Sequence, residues 1–529
     1  MLVDVSRESK KLNLEVDVCI LGGGVAGITL AHELRAAYGS IAILESGTEQ
    51  YDQATQELYT PEKQHGVYPD VLYSRMRFLG GSSNHWENNT APFLGIDFEK
   101  RDWVQNSGWP ITMADVQPHY TRAAEYCGVG SDGYGSRYWS EQLKVDFPYK
   151  PTDEVEMNVS KFASPPTRFF DRHGAALKEA REVTVYTRAN VVDVSFDAAS
   201  KKIRKAQFTS DGQLVHEISA RVFVLCMGGI ENARMLLHFN AKNGNQLGNQ
   251  FDNVGRYFMD HPTLRPANLY TDRSDLIAKY ELRQATRYVQ AYLEFTEATL
   301  RKNAITNSKF SIIKVDNYQM SDGISSFHVL REQLARGNMP DDSFTHLSNM
   351  VVDLDMVIEA VARKSFDLKV FDHADEFAGF QIHAMVEQTP SRNNRVMLGQ
   401  QKDRLGIPKV VMDWRLEQKD IDMMWAGLLV LGREFGKKSF GRLRMLKEQA
   451  PRLFTSQLGF GHHHMGTTRM AETPQTGVVD RNQRVFGTEN FYVAGSSVFV
   501  TGSHVPPTLT LVALTLRLAK HLGSLEKKA

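Results

Sequence analysis

The sequence predicts an α/β fold opened by a dinucleotide-binding unit, and three observations carry that prediction. Residues 16–21 (VDVCIL) form an apolar, β-branched run that enters a glycine turn containing Gly22, Gly24 and Gly27. An apolar periodic stretch from Ile28 to Leu34 then reads as a helix, and Ile41 to Leu44 as a second strand ending at Glu45. Further on, the apolar strand Val222 to Cys226 runs into Met227-Gly228-Gly229 and a helix carrying Asn232. Strand, glycine turn, helix, strand is the start of a nucleotide-binding α/β sheet.

Each glycine of the turn has its own reason. Gly22 permits the tight turn, Gly24 lets a pyrophosphate approach the backbone, and Gly27 lets helix and strand pack closely. The helix that follows offers unpaired amides and a positive dipole end to phosphates. Glu45 lies 18 residues after Gly27, where a carboxylate can accept hydrogen bonds from ribose hydroxyls. An acid there favours an unphosphorylated ribose over NADP. The motif alone fits FAD as well as NAD.

The rest of the chain is consistent with a large globular enzyme. Its 529 residues exceed what one hydrophobic core supports, so two interlocked domains are expected. The 62 basic residues cancel the 62 acidic ones, which gives no reason to expect nucleic acid or an anionic membrane as partner. The longest apolar stretch near the C-terminus, Leu509 to Leu518, is short and carries Arg517, so no membrane span is expected. Three cysteines without a CxxC pair and a polar N-terminus without a signal peptide point to the cytoplasm. Residues 183–194 and 203–216 read as alternating strands, and 491–494 as a strand meeting Gly495-Ser496. The C-terminal amphipathic helix spans 509–522. The segment from about 265 to 450 has the weakest periodicity and is the natural place for a substrate domain.

Eight segments, in order, resemble the glucose–methanol–choline (GMC) oxidoreductases. They are VCILGGGVAGITLAHEL, RFLGGSSNHWEN (77–88), SGWPI (107–111), LCMGGIENARMLL (225–237), VGRYFMDHP (254–262), HHHMGTTRM (462–470), VVDRNQRVFGTENFYVAGSSVF (478–499) and PPTLTLVALTLRLA (506–519). Within the family, the bacterial sugar-oxidising and pyranose-oxidase-like branch is the most similar. The resemblance implies a fold that is α/β in its nucleotide-binding part and α+β overall. A Rossmann-like FAD-binding domain (12–264 and 455–525, with segments of the other domain interleaved) would hold an inserted sheet-and-helix substrate domain (265–454). It also implies that Gly80, Gly81 and Ser82 lie against the flavin, that Gly228, Gly495 and Ser496 approach the cofactor, and that Asp480 supports the C-terminal contacts. Gly80-Gly81-Ser82-Ser83-Asn84-His85-Trp86 matches a pattern in which the histidine bonds the flavin covalently in some relatives and not in others. Both alternatives are open for His85.

The chemistry implied is oxidation of a hydroxyl on a sugar, glycoside, aminosugar or cyclitol, with hydride passing to flavin N5. Such a reaction needs a base for the hydroxyl proton, and histidine titrates in the right range. His463, three residues before Gly466-Thr467, matches the family's catalytic histidine. Consecutive side chains diverge on any regular element, so the run His462-His463-His464 is not expected to converge on a metal. The family's second catalytic position is occupied here by Pro506, which has neither a side-chain donor nor a backbone N–H. His504, two residues upstream, is the expected replacement. Asp260 and His261 read as structural, and Gln381 and His383 as residues of a half-buried strand. The electron acceptor is left open among oxygen, a quinone, a cytochrome and a partner protein. The alternative reaction is lyase-like chemistry on the same flavoprotein fold; a redox-silent binding protein and an NAD-dependent dehydrogenase fit less well.

Overall fold

A computed structural model describes residues 1–273, 276, 281–284, 287–335, 339 and 342–527, and three sheets organise them. The first holds parallel strands in the order Leu2–Asp4, Val183–Thr187, Ile41–Leu44, Asn13–Leu21 and His216–Leu225. Phe491–Val493 adds parallel to His216–Leu225. Lys202–Thr209 and Asn190–Asp197 extend the sheet antiparallel. Val18 to Leu21 are fully buried, as expected where a parallel strand is covered on both faces and therefore reads as a continuous apolar run. The buried helix Val25–Leu34 packs against the long C-terminal helix Thr508–Glu526.

The two stretches read as single alternating strands are each broken. Arg188 takes a left-handed conformation (φ 54°) and separates Val183–Thr187 from Asn190–Asp197. The second break is the Asp211-Gly212 turn, where Gly212 has φ 90°.

The second sheet is antiparallel, in the order Glu281–Gln284, Arg287–Phe295, Ser308–Asp316, Phe377–Val386, Pro262–Tyr270 and Arg442–Met445. Val155–Ala163 pairs along the full length of Arg287–Phe295, and Gly459–Phe460 pairs with Pro262 and Thr263. A third, three-stranded sheet joins Arg395–Lys402 and Pro408–Asp413 to Lys63–His65. Gly459–Phe460 thus departs from a partition at 264/265 and 454/455, and so do two longer stretches. Residues 155–163 join the second sheet, and residues 395–413 join a strand from near the N-terminus. In Phe377–Val386 the pleat puts Phe380, Ile382 and Ala384 on one face in the core, and Gln381, His383 and Met385 on the other. Among the described residues no helix is long and apolar enough to cross a membrane.

Candidate functional site

The C-terminal ends of the first sheet's central strands and one face of the second sheet enclose a cavity of about 670 Å³. The glycine turn forms one wall. Gly22 has φ 113°, and a Cβ there would lie 2.7 Å from the Cys226 carbonyl oxygen. At Gly27 a Cβ would fall 2.0 Å from the Gly22 carbonyl oxygen, so Gly27 works by close packing and does not itself line the cavity. Gly24 differs. It lines the cavity, and its nearest non-local atom to a built Cβ is Gly81 Cα at 3.9 Å. Gly24 caps the helix Val25–Leu34 without a side-chain hydrogen bond, leaving the first-turn amides for an anion.

Glu45 sits beside this turn. Its carboxylate accepts the Gly23 amide at 2.7 Å and the Gly47 amide at 2.8 Å. A carboxylate has about four lone-pair sites, so capacity remains for hydroxyl donors. Gly80 backs the turn, its amide donating to the Gly23 carbonyl at 2.9 Å, while Gly81 (φ 56°), Ser82 and His85 line the cavity. Burial, then the neighbouring His462 and Arg168, pushes the His85 imidazole down.

A third group of turns closes the wall. Gly228 (φ 84°) has nothing within 4 Å of a built Cβ, because that space is the cavity. Gly495 (φ 118°) and Ser496 line it too, and Ser496 Oγ donates to the His464 carbonyl at 2.6 Å. Asn232 ties these turns together. Its Oδ1 accepts the Met227 amide at 2.7 Å, and its Nδ2 donates to Ala494 O at 3.3 Å and Ser497 Oγ at 2.9 Å. Beneath, Glu231 is buried among Arg234 (2.9 Å), Arg77 (3.0 Å) and Arg75 (3.4 Å). Burial alone would raise its carboxyl; the three guanidiniums outweigh that and hold it at about 2. The cluster keeps Arg75 and Arg77 on the cavity wall.

His463 faces the cavity from the opposite side. Its amide donates to Asp260 Oδ1 at 2.7 Å, and the same oxygen accepts the His261 amide at 2.6 Å. Asp260 Oδ2 accepts the Tyr68 hydroxyl. The rings of His463 and His261 meet Nδ1 to Nδ1 at 2.7 Å. Burial first, then the neighbouring histidines, lowers the His463 imidazole well below its ordinary value. It is therefore neutral and proton-accepting near pH 7. His464 also lines the cavity, and its Nε2 lies 3.1 Å from Ser74 Oγ.

Two residues with predicted side-chain roles lie elsewhere. Asp480 sits in a turn off this cavity, where Oδ1 accepts the amides of Asn482 and Arg484 at 2.8 and 3.0 Å. His504 does not reach the cavity. Its buried ring hydrogen-bonds Glu294 through Nε2, and Ser503 Oγ is 3.3 Å from its Nδ1. The expectation that His504 replaces the second catalytic residue is corrected accordingly, because a buried carboxylate holds the imidazole away from the substrate side. Pro506 does line the cavity and presents no donor there.

Comparison with known proteins agrees with this architecture. A family model described as GMC oxidoreductase matches residues 390–515. The fructose dehydrogenase large subunit of Gluconobacter japonicus is 23% identical over 96% of this chain and 97% of its own length. The paromamine 6'-oxidase of Streptomyces fradiae is 21% identical, covering 95% of this chain and 90% of its own. Among solved structures, formate oxidase from Aspergillus oryzae aligns with a TM-score of 0.57 at 15% identity, over 98% of this chain and 100% of its own. Pyridoxine 4-oxidase from Mesorbium loti gives the same score and identity, over 96% and 99%. Residues 390–515 thus match the C-terminal part of the GMC oxidoreductases, and the curated relatives that span the whole chain are sugar and aminoglycoside oxidases and dehydrogenases. The chain is an FAD-dependent oxidoreductase.

The cavity's fit to FAD rests on this chain's own atoms: the open side of Gly24, the uncapped helix terminus and the spare acceptor capacity of Glu45. Several members of the site carry no sequence signal that places them there. His261 and Asp260, read as structural, touch His463 directly. His383 lines the cavity because the pleat of Phe377–Val386 turns it inward. Glu231, Arg75 and Arg77 meet across 154 or more residues of chain. Asp260 and His261 lie in the motif MDHP at 259–262, Arg77 and Glu231 in the family-like segments 77–88 and 225–237, and His383 on an alternating strand, but none of these signals placed the side chain in the site.

Proposed function

We propose that this FAD-dependent oxidoreductase oxidises a hydroxyl of a sugar, glycoside, aminosugar or cyclitol to a carbonyl, with His463 taking the hydroxyl proton. Residues 12–264 and 455–525 hold the cofactor in this reading, and 265–454 contribute the substrate side. When bound, FAD supplies the two-electron acceptor. Gly24 and the first-turn amides of Val25–Leu34 face its phosphates, and Glu45 takes ribose hydroxyls. Gly81, Ser82, Gly228, Gly495 and Ser496 shape the wall around it. Three buried free cysteines suit a cytoplasmic address.

The observation that carries the reading is the pairing, in one cavity, of the open glycine turn with a neutral histidine whose backbone is clamped by Asp260. A general base works best when its unprotonated form dominates at the operating pH, and burial secures that here. The relatives named for fructose and paromamine support a polyhydroxylated substrate.

Anaerobic titration with sugars, glycosides and aminosugars tests it. Loss of the flavin band near ~450 nm with a member of that panel is the expected result. A protein that consumes substrate while its flavin stays oxidised would instead be lyase-like. Acid precipitation reads the attachment at His85: yellow pellet for a covalent bond, yellow supernatant for none.

A further inference from the structure

The hydrogen bonds around His261 determine where the proton on His463 must sit. His261 is fully buried, and its Nε2 faces two carbonyl oxygens, Ser503 O at 2.9 Å and Gly502 O at 3.1 Å. A carbonyl oxygen only accepts, so this nitrogen carries a proton. Burial lowers the imidazole to about 4, with the two carbonyls pulling the other way, so the ring is neutral near pH 7. A neutral imidazole protonated at Nε2 has a bare lone pair at Nδ1. That lone pair lies 2.7 Å from His463 Nδ1. Two lone pairs do not meet at this distance; one nitrogen must donate, and only His463 can.

We infer that His261 is a positioning residue that fixes His463 in its Nδ1–H tautomer, leaving Nε2 unprotonated as the atom that accepts the substrate proton. Among the described residues no protein group hydrogen-bonds that Nε2, and His463 lines the cavity. His463 Nδ1 would be 2.4 Å from a Cβ built on Gly461, so only glycine leaves it room. The Gly461 amide donates to the His261 carbonyl at 3.0 Å, and Asp260 Oδ1 binds both histidine amides.

The carbonyls that start this relay are themselves held. Ser503 has φ 57°, a left-handed conformation costly for a non-glycine residue, and Ser503 Oγ donates to Asp97 Oδ2 at 2.7 Å. His504, next in the chain, is bonded to Glu294. The loop therefore presents its carbonyl oxygens to His261 instead of a side chain to the substrate. A group two steps from the substrate can in this way decide whether the base is in its competent form, which is the role of an orienting partner in nucleophile and base pairs generally.

The inference rests on the reading of His463 as the base, and the experiment separates the two. Long-range proton–nitrogen correlation spectra of the holoenzyme, labelled with ¹⁵N-histidine, report each ring's tautomer; His463→Gln identifies the His463 signals by their loss. The expected pattern for His463 is a proton-bearing Nδ1 and an unprotonated Nε2. In His261→Phe the acceptor is gone, and the His463 pattern shifts toward the Nε2–H form. There kcat falls about 10–100-fold, a part of the ~10²–10⁴ a general base supplies, with KM little changed. His261→Asn, whose side-chain oxygen can still accept from Nδ1–H, restores the wild-type tautomer and most of kcat. A wild-type His463 protonated at Nε2, or a tautomer unmoved by His261→Phe, would overturn the inference. The wild-type spectrum decides even if His261→Phe does not fold. The assigned tautomer together with undiminished flavin reduction in His463→Ala would uphold the tautomer relay and overturn the functional reading.

Discussion

His463 reaches the Gly502-Ser503 turn through His261, His504 follows that turn in the chain, and the two buried rings are shifted in opposite directions. His463 faces other histidines and the cavity; among the described residues no carboxylate hydrogen-bonds its ring, and burial favours the neutral form. His504 is buried too, but Glu294 bonds its Nε2 while Asp97 and Glu387 lie close. Burial lowers this imidazole as well, yet the carboxylates outweigh it and raise His504 above its ordinary value. One ring is a proton acceptor at the substrate side. The other is held by Glu294 away from the cavity, and the carboxylates around it favour its protonated form. The difference shows that a histidine's role is set by which charges share its burial, and two residues of sequence distance from a motif do not decide it.

The largest effect that would sharpen this contrast is expected on the anchoring side. Glu294→Ala removes the carboxylate that bonds His504 and leaves the buried imidazole without that partner. Breaking one partner of a buried pair costs about 3–5 kcal/mol, read as a drop in the denaturant midpoint. In the folded fraction FAD content should persist, because no FAD-facing residue is touched. An unchanged midpoint would mean that His504 is neutral and the contrast false.

A smaller effect appears in the pH dependence of stability. His261 and His383 have folded values of about 4, below the ordinary ~6.5. Between these limits the unfolded chain binds more protons than the native one, so their contribution is complete above pH ~6.5 and is lost as pH falls toward ~4. Each such group adds a slope of about 1.4 kcal/mol per pH unit within that window. His504 works in the other sense: raised above its unfolded value, its contribution is full at low pH and fades as pH rises through the folded value. Urea denaturation from pH 4 to 8 should show stability rising from about pH 4 to 6.5. In Glu294→Ala that acid-side slope should steepen, since the opposing histidine has lost its partner.

The same contrast separates what could be read from the sequence from what could not. The glycine turn, Glu45 and the strands Ile41–Leu44 and Phe491–Val493 were legible because each depends on local periodicity or on conformations that glycine alone accepts. His463 was legible through its motif. The network behind it was not, for it joins His261, Ser503, Asp97 and Glu294 across sequence separations of up to 406 residues. No spacing rule connects such residues; only the antiparallel sheet and the loop geometry do. His383 shows the intermediate case. Its alternating strand was evident, but which face met the cavity depended on register with Ser308–Asp316 and Pro262–Tyr270. Asp480 is a related case: it lies in a segment rich in family resemblance, yet the structure places it in a turn off the cavity, where its Oδ1 accepts two turn amides.

The most direct measurement is the rate of anaerobic flavin reduction by one substrate found in the titration, compared between wild type and His463→Ala. The expected result is intact FAD binding with a rate lower by roughly 10²–10⁴-fold, the usual contribution of a positioned general base. A His463→Ala protein that is reduced as fast as wild type would contradict the assignment of His463 as base.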